Sequence, residues 1–136
     1  MRLDPFFRYA LYATFAVLFL TGAVWLVADS LKDSASEFWQ EAAATLLMLH
    51  GGGAMIALMM LGALVPAHMR YGWRKRKNLV TGITVATVNA ALIVTAFGLY
   101  YLGSEAVRPW MSDVHIALGL AIPVLLVGHI WWGRRA

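Results

Sequence analysis

The chain has 136 residues, 61% of them hydrophobic and only 13% charged, with a net charge of +4 and no cysteine. That composition is too apolar for a soluble domain of this length and marks a membrane protein. The missing cysteine excludes disulfides, thiolate metal sites, iron–sulfur ligation and covalent haem attachment of the c type.

Stretches without Asp, Glu, Lys or Arg run over 9–28, 42–69, 78–104 and 114–133. Each is long enough to cross a hydrocarbon core of roughly 30 Å. The first helix is expected over roughly 7–29; it reads as a retained helix, because a cleavable signal would carry a small-residue cleavage pattern and LVADSLKDS does not. The second is expected over roughly 42–70, the third over roughly 79–103 and the fourth over roughly 112–133. His50 and His68 lie on the second, His115 and His129 on the fourth, and Asn89 deep in the third, where a bond to a neighbouring helix or to a quinone oxygen is expected. The expected fold is all-α, an integral membrane four-helix up-down bundle forming one domain over 1–136. ATFAVLFLTG in the first helix is loosely echoed by ATVNAALIVTAFG in the third.

Basic residues set the expected topology, since cytoplasmic loops retain an excess of Lys and Arg. Arg2 and Arg8 precede the first helix, Arg70, Arg74, Lys75, Arg76 and Lys77 follow the second, and Arg134 and Arg135 end the chain. The other two loops hold Lys32 and Arg108 with six of the seven acidic residues: Asp29, Asp33, Glu37, Glu41, Glu105 and Asp113. Both termini are therefore expected on the cytoplasmic side. The net positive charge is read as this bias together with anionic headgroup contact, and not as nucleic-acid binding.

All four histidines lie on the two helices that run from outside to cytoplasm, none in a loop proper. At roughly 100° per residue, the 18-residue gap from His50 to His68 returns to the same face, and the 14-residue gap from His115 to His129 misses it by about 40°. The corresponding axial separations are about 27 Å and about 21 Å. If the two helices are neighbours, His50 meets His115 toward the outer face and His68 meets His129 toward the cytoplasmic face. Zinc or copper asks for three or four ligands that converge within a few ångströms, whereas haem asks for one axial ligand on each side of a flat ring. Two noncovalent b haems, His50 with His115 and His68 with His129, are the expected cofactors. The plainer alternatives are polar bonds between helices or a proton path. Gly51, Gly52, Gly53, Gly119 and Gly128 offer bare backbone near the histidines, though glycine is also common where membrane helices touch. Pro66 and Pro123 can bend their helices.

DVHIALGLAIPVLLVGHIWWG, with its 14-residue histidine spacing, resembles the last helix of the bacterial cytochrome b561 and Ni,Fe-hydrogenase-type di-haem cytochrome b family. RYALYATFAVLFLTG and AHMRYGWRKRKNLVTG are similar in character to that family, so the resemblance covers most of the chain. It implies a bacterial inner-membrane bundle with two b haems that passes electrons between a quinone pool and a redox partner. Many members place a haem ligand on the first helix, where this chain has Tyr9 and Tyr12; His68 takes that role, as in a shorter related subgroup. The longer gap on the second helix, by about 6 Å, must be absorbed by helix tilt or an off-axis haem.

Iron ligated by histidine on both sides has no open position, which favours outer-sphere electron transfer. Arg70 and Arg74 on the cytoplasmic side and Arg108 outside are candidates for pairing with haem propionates, and equally for headgroup anchoring. The acidic outer loops are candidates for docking a basic carrier. Trp73, Trp110, Trp131, Trp132 and Tyr71 fall at membrane edges, where an aromatic belt is expected and a quinone pocket is the minor alternative. Three functions remain open: an electron-transfer subunit, a self-sufficient quinone-linked superoxide oxidase, and a haem-free membrane scaffold or assembly protein. Lipid is a partner in all three.

Overall fold

In the computed structural model, which describes residues 3–34, 36–76 and 78–135, the regular structure is helical throughout and no strand occurs among the described residues. Helix α1 spans Pro5–Leu31. Proline is tolerated in a first turn, where its missing N–H has no helical acceptor to serve. Asp4 caps that turn by accepting from the Phe7 N–H at 3.2 Å, so the helix begins before the apolar run does.

Helix α2 spans Glu37–Leu64 and passes through a π-helical turn, Val65–Met69, into α3, Arg70–Lys75. The three form one run of 39 residues, Glu37–Lys75, well beyond the expected 42–70. Good helix formers such as Glu37, Gln40, Glu41 and Lys75 extend it at both ends into positions that apolarity alone does not mark. The π turn has a local cause. Pro66 lacks an N–H and its ring crowds the carbonyl four residues back, so the ladder widens here and Arg70 N–H reaches Val65 O instead.

Helix α4 spans Leu79–Tyr101 and α5 spans Arg108–Arg135, the latter running through Pro123. Arg76 and Asn78 adopt positive φ, 51° and 52°, in the turn between α3 and α4. Asparagine accepts that region more readily than most residues, which suits Asn78 to the N-cap position of α4. Arg2 and Lys77, two of the basic residues used for topology, lie outside the described residues.

By its internal contacts the chain divides into two compact units, Met1–Tyr71 and Gly72–Ala136. The first is a hairpin of α1 against α2, the second a hairpin of α4 against α5. Both are antiparallel. In the first unit Thr14 meets Met60, Leu18 meets Gly53 and Thr21 meets His50. In the second Thr81 meets His129, Thr95 meets His115 and Gly98 accommodates Met111. Each hairpin turn is tied by a side chain from the later helix to a carbonyl near the end of the earlier one, Gln40 Nε2 to Lys32 O at 3.3 Å and Arg108 to Leu99 O at 2.6 Å. Lys32 also pairs with Asp29 at 2.7 Å, and that hydrogen bond and charge hold its ammonium above the usual lysine range. The pair is solvated, so it adds little to stability.

The apolar surface identifies the solvent. Val80 is 80% exposed, Val124 75% and Met55 70%, whereas among the described residues the buried hydrophobic ones are Leu11, Ala28, Ala43, Ala57, Leu64 and Ile122. In water such exposure would drive aggregation; in lipid it is the expected outer face. Among the described residues four helices, of 27, 39, 23 and 28 residues, are long and apolar enough to cross a bilayer. The chain is an all-α, multi-pass protein of membrane type.

Candidate functional site

The four histidines are half-buried, two on the second helical run of each unit. Three of them meet a threonine on the first helix of their own hairpin. His50 Nδ1 lies 3.1 Å from Thr21 Oγ1, His115 Nδ1 2.8 Å from Thr95 Oγ1, and His129 Nδ1 2.9 Å from Thr81 Oγ1.

The direction of the first two bonds is set by the threonine's single hydrogen. Thr21 Oγ1 sits 2.7 Å from Val17 O, and Thr95 Oγ1 sits 2.8 Å from Ala91 O. Two oxygens that close need a proton between them, so each hydroxyl donates to its own helix and turns its lone pairs to the imidazole. Nδ1 of His50 and His115 therefore carries the ring proton, and the lone pair lies on Nε2. At Thr81 the carbonyl contact, to Asn78 O, is longer at 3.3 Å, so the assignment is carried by the other two.

Heights match as well. Thr21 lies sixteen residues beyond Pro5 at the start of α1, and Thr95 lies sixteen residues beyond Leu79 at the start of α4. Each hairpin thus holds the histidine nearer its turn about 24 Å along its first helix.

His68 is placed differently. It sits inside the π turn, and the register of α1 against α2, extended past Met60, brings it level with the first turn of α1. The same-face arithmetic for His50 and His68 applies to an uninterrupted α-helix. A π turn takes an extra residue, which rotates the residues beyond it by up to about 100° and shortens the rise by about 1.5 Å. The longer spacing on this run is thus partly taken up by the turn that Pro66 creates.

The glycines near the histidines are of three kinds. A Cβ on Gly52, Gly119 or Gly128 would meet no atom within 4 Å, so open space borders the backbone close to His50, His115 and His129. Gly53 instead receives Leu18 and Val17 from α1 and is a helix-contact glycine. Gly22 and Gly82, each directly after a bonding threonine, face the imidazoles themselves. A Cβ on Gly22 would stand 3.2 Å from His50 Cε1, and one on Gly82 3.6 Å from His129 Cε1. Gly22→Ala is therefore expected to push His50 off Thr21, Gly82→Ala to disturb His129 less, and Gly52→Ala to leave His50 in place. Overpacking costs about 1–3 kcal/mol and the gain in helix propensity offsets about 1 kcal/mol of it, so the change should register in the histidine NMR signals more than in overall stability.

Away from the histidines, Arg108 gives a guanidinium N–H to the Leu99 carbonyl and so serves as a cap for α4, a role its charge did not announce. Arg70 and Arg74 are exposed on α3. Asn89 is buried, and its amide donates to Val85 O at 2.8 Å, within its own helix and not toward a neighbour. Trp131 stacks under Arg135 at 3.5 Å, while Trp110 and Trp73 are exposed. An open groove along α2 is lined by Phe38, Glu41, Ala42, Thr45 and Leu46, with none of the named tryptophans beside it.

Among the described residues no three His, Asp or Glu side chains gather as a metal site. At His50 and His115 the donor set, Nδ1 engaged and Nε2 carrying the lone pair, suits an axial ligand to haem. The threonines were missed from sequence, although Thr-Gly occurs at 21–22 and again at 81–82. A polar residue followed by a small one is ordinary in membrane helices; only the hairpin register ties each pair to a histidine. No known family, curated protein or solved structure matches the chain.

Proposed function

We propose that this chain is a membrane b-type cytochrome holding two haems by paired histidines, His50 with His115 and His68 with His129, and passing electrons between a quinone pool and a redox partner. The observation that carries the reading is the matched treatment of His50 and His115. Each is half-buried on the second helix of its hairpin, and each sets its Nδ1 within hydrogen-bond distance of a threonine hydroxyl at the same height on the first. Bound haem would supply one-electron iron chemistry. The chain's own residues would orient the two Nε2 lone pairs, keep water from the iron with the surrounding apolar side chains, and leave backbone bare at Gly52, Gly119 and Gly128 for a flat ring.

The quinone and partner parts of the proposal rest on the resemblance of the last helix to di-haem cytochromes b. Placement in a bacterial inner membrane, with both termini cytoplasmic, rests on that resemblance and on the basic residues at the termini and in the α3–α4 turn. A second reading has an observation of its own: the threonine–histidine bonds tie helices together and would serve a haem-free scaffold equally well. A reduced-minus-oxidised optical spectrum with haem quantitation on the purified chain separates the two. About two b haems per chain are expected on the proposed ligand count; a colourless protein produced with ample haem would leave the scaffold.

A further inference from the structure

We propose that Thr21, Thr95 and Thr81 are positioning residues that set the tautomer of His50, His115 and His129, so that Nε2 is the coordinating nitrogen before any cofactor arrives. The inference rests on the haem reading for its purpose, but the tautomer is a property of the hairpins alone.

An imidazole inside a bilayer has two neutral forms, and only the one protonated on Nδ1 presents the Nε2 lone pair. Each threonine is held by its own helix before it meets the histidine. Thr21 Oγ1 contacts Val17 O at 2.7 Å and Leu18 O at 3.2 Å; Thr95 Oγ1 contacts Ala91 O at 2.8 Å and Leu92 O at 3.0 Å. With its hydrogen committed in this way, the hydroxyl accepts from the imidazole, and the opposite tautomer would turn two lone pairs toward each other. Thr81 reaches His129 at 2.9 Å with a weaker backbone contact at 3.3 Å, so its hold is the loosest of the three. Gly22 and Gly82 complete two of these arrangements by letting the ring edge lie against bare backbone beside the hydroxyl. Thr14 marks the contrast within α1: it donates to Ala10 O at 2.9 Å and meets the Met60 sulfur.

An accepting group on Nδ1–H also makes the ligand more basic, which favours ferric iron. Removing it should raise the midpoint potential of the haem concerned and weaken haem retention by about 10–100-fold, the usual cost of a lost outer-shell partner. Valine keeps the shape of threonine and loses the hydroxyl; serine keeps the hydroxyl.

The test is 15N NMR of the full chain, labelled at histidine, in lipid nanodiscs and reduced with dithionite so that any bound low-spin iron is diamagnetic. Wild-type protein should show Nδ1–H signals for His50, His115 and His129, assigned by single histidine replacements. Thr21→Val, Thr95→Val and Thr81→Val should each disturb only its own histidine, with Thr81→Val the mildest, and the serine variants should restore the signal and the potential. Haem bound as in wild type with Nδ1–H signals that ignore the valine changes would overturn the positioning role and leave the cytochrome reading standing. Nδ1–H signals that respond as described in a protein that never takes up haem would overturn the cytochrome reading, and with it the coordinating purpose assigned here.

Discussion

Alanine at His50 or at His115 is expected to remove one b haem per chain and leave the other, and the double variant is expected to lose no more than either single change. Two ligands of one iron act as a unit, so their removal is non-additive, and that equality identifies the pair. The loss should exceed the roughly 10–100-fold weakening expected for a lost outer-shell partner, because a coordinate bond is removed and not a tuning contact. Where one imidazole retains the haem, the iron becomes five-coordinate, and its spectrum should shift to high spin and respond to carbon monoxide, which the bis-histidine form does not bind. Haem quantitation and reduced spectra of the three variants decide the matter. Additive losses, with His50→Ala and His115→Ala each removing a different haem, would break the proposed pairing while keeping the ligands.

The second large effect belongs to Pro66. With alanine there, Gly62 O regains its N–H donor and the π turn over Val65–Met69 is expected to relax into α-helix. Proline inside a helix costs about 3 kcal/mol relative to alanine, so the variant should resist thermal unfolding better than wild type. The same change rotates His68 by up to about 100° relative to His50. On the proposed ligation, the expected product is a more stable protein that has lost the haem of His68 and His129 and kept that of His50 and His115. Opposite signs make the result discriminating: damage to folding would lower both stability and haem content. A stable variant with both haems intact would show that His68 ligation does not depend on the turn, and would return the spacing problem to helix tilt.

Much of this protein was legible before folding was considered. A bilayer leaves a chain few choices, since backbone polar groups must be satisfied within each spanning segment. Four long apolar runs therefore imply four helices almost regardless of detail, and the helices α1, α2 with its extension, α4 and α5 fall where those runs lie. Their ends were less legible because capping and interfacial residues such as Asp4, Glu37 and Arg108 extend a helix without adding apolarity. The histidines stood out because an ionisable residue inside a membrane span is rare and costly.

The tertiary structure decided what those histidines touch. Thr21, Thr81 and Thr95 are unremarkable in sequence, 29, 48 and 20 residues from their histidines, and only antiparallel packing of each hairpin sets hydroxyl against imidazole. The π turn is of the same kind: Pro66 announces a disturbance, but whether a helix kinks, breaks or widens depends on which neighbouring carbonyls and amides can re-pair. Asn89 gives the reverse lesson, a buried amide whose partner lies in its own helix at Val85 O and not across an interface. Spanning character comes from composition because transfer into lipid sums over residues one at a time. Histidine orientation comes only from the fold, because a hydrogen bond between two helices depends on the distance and angle of two atoms that the chain order does not bring together.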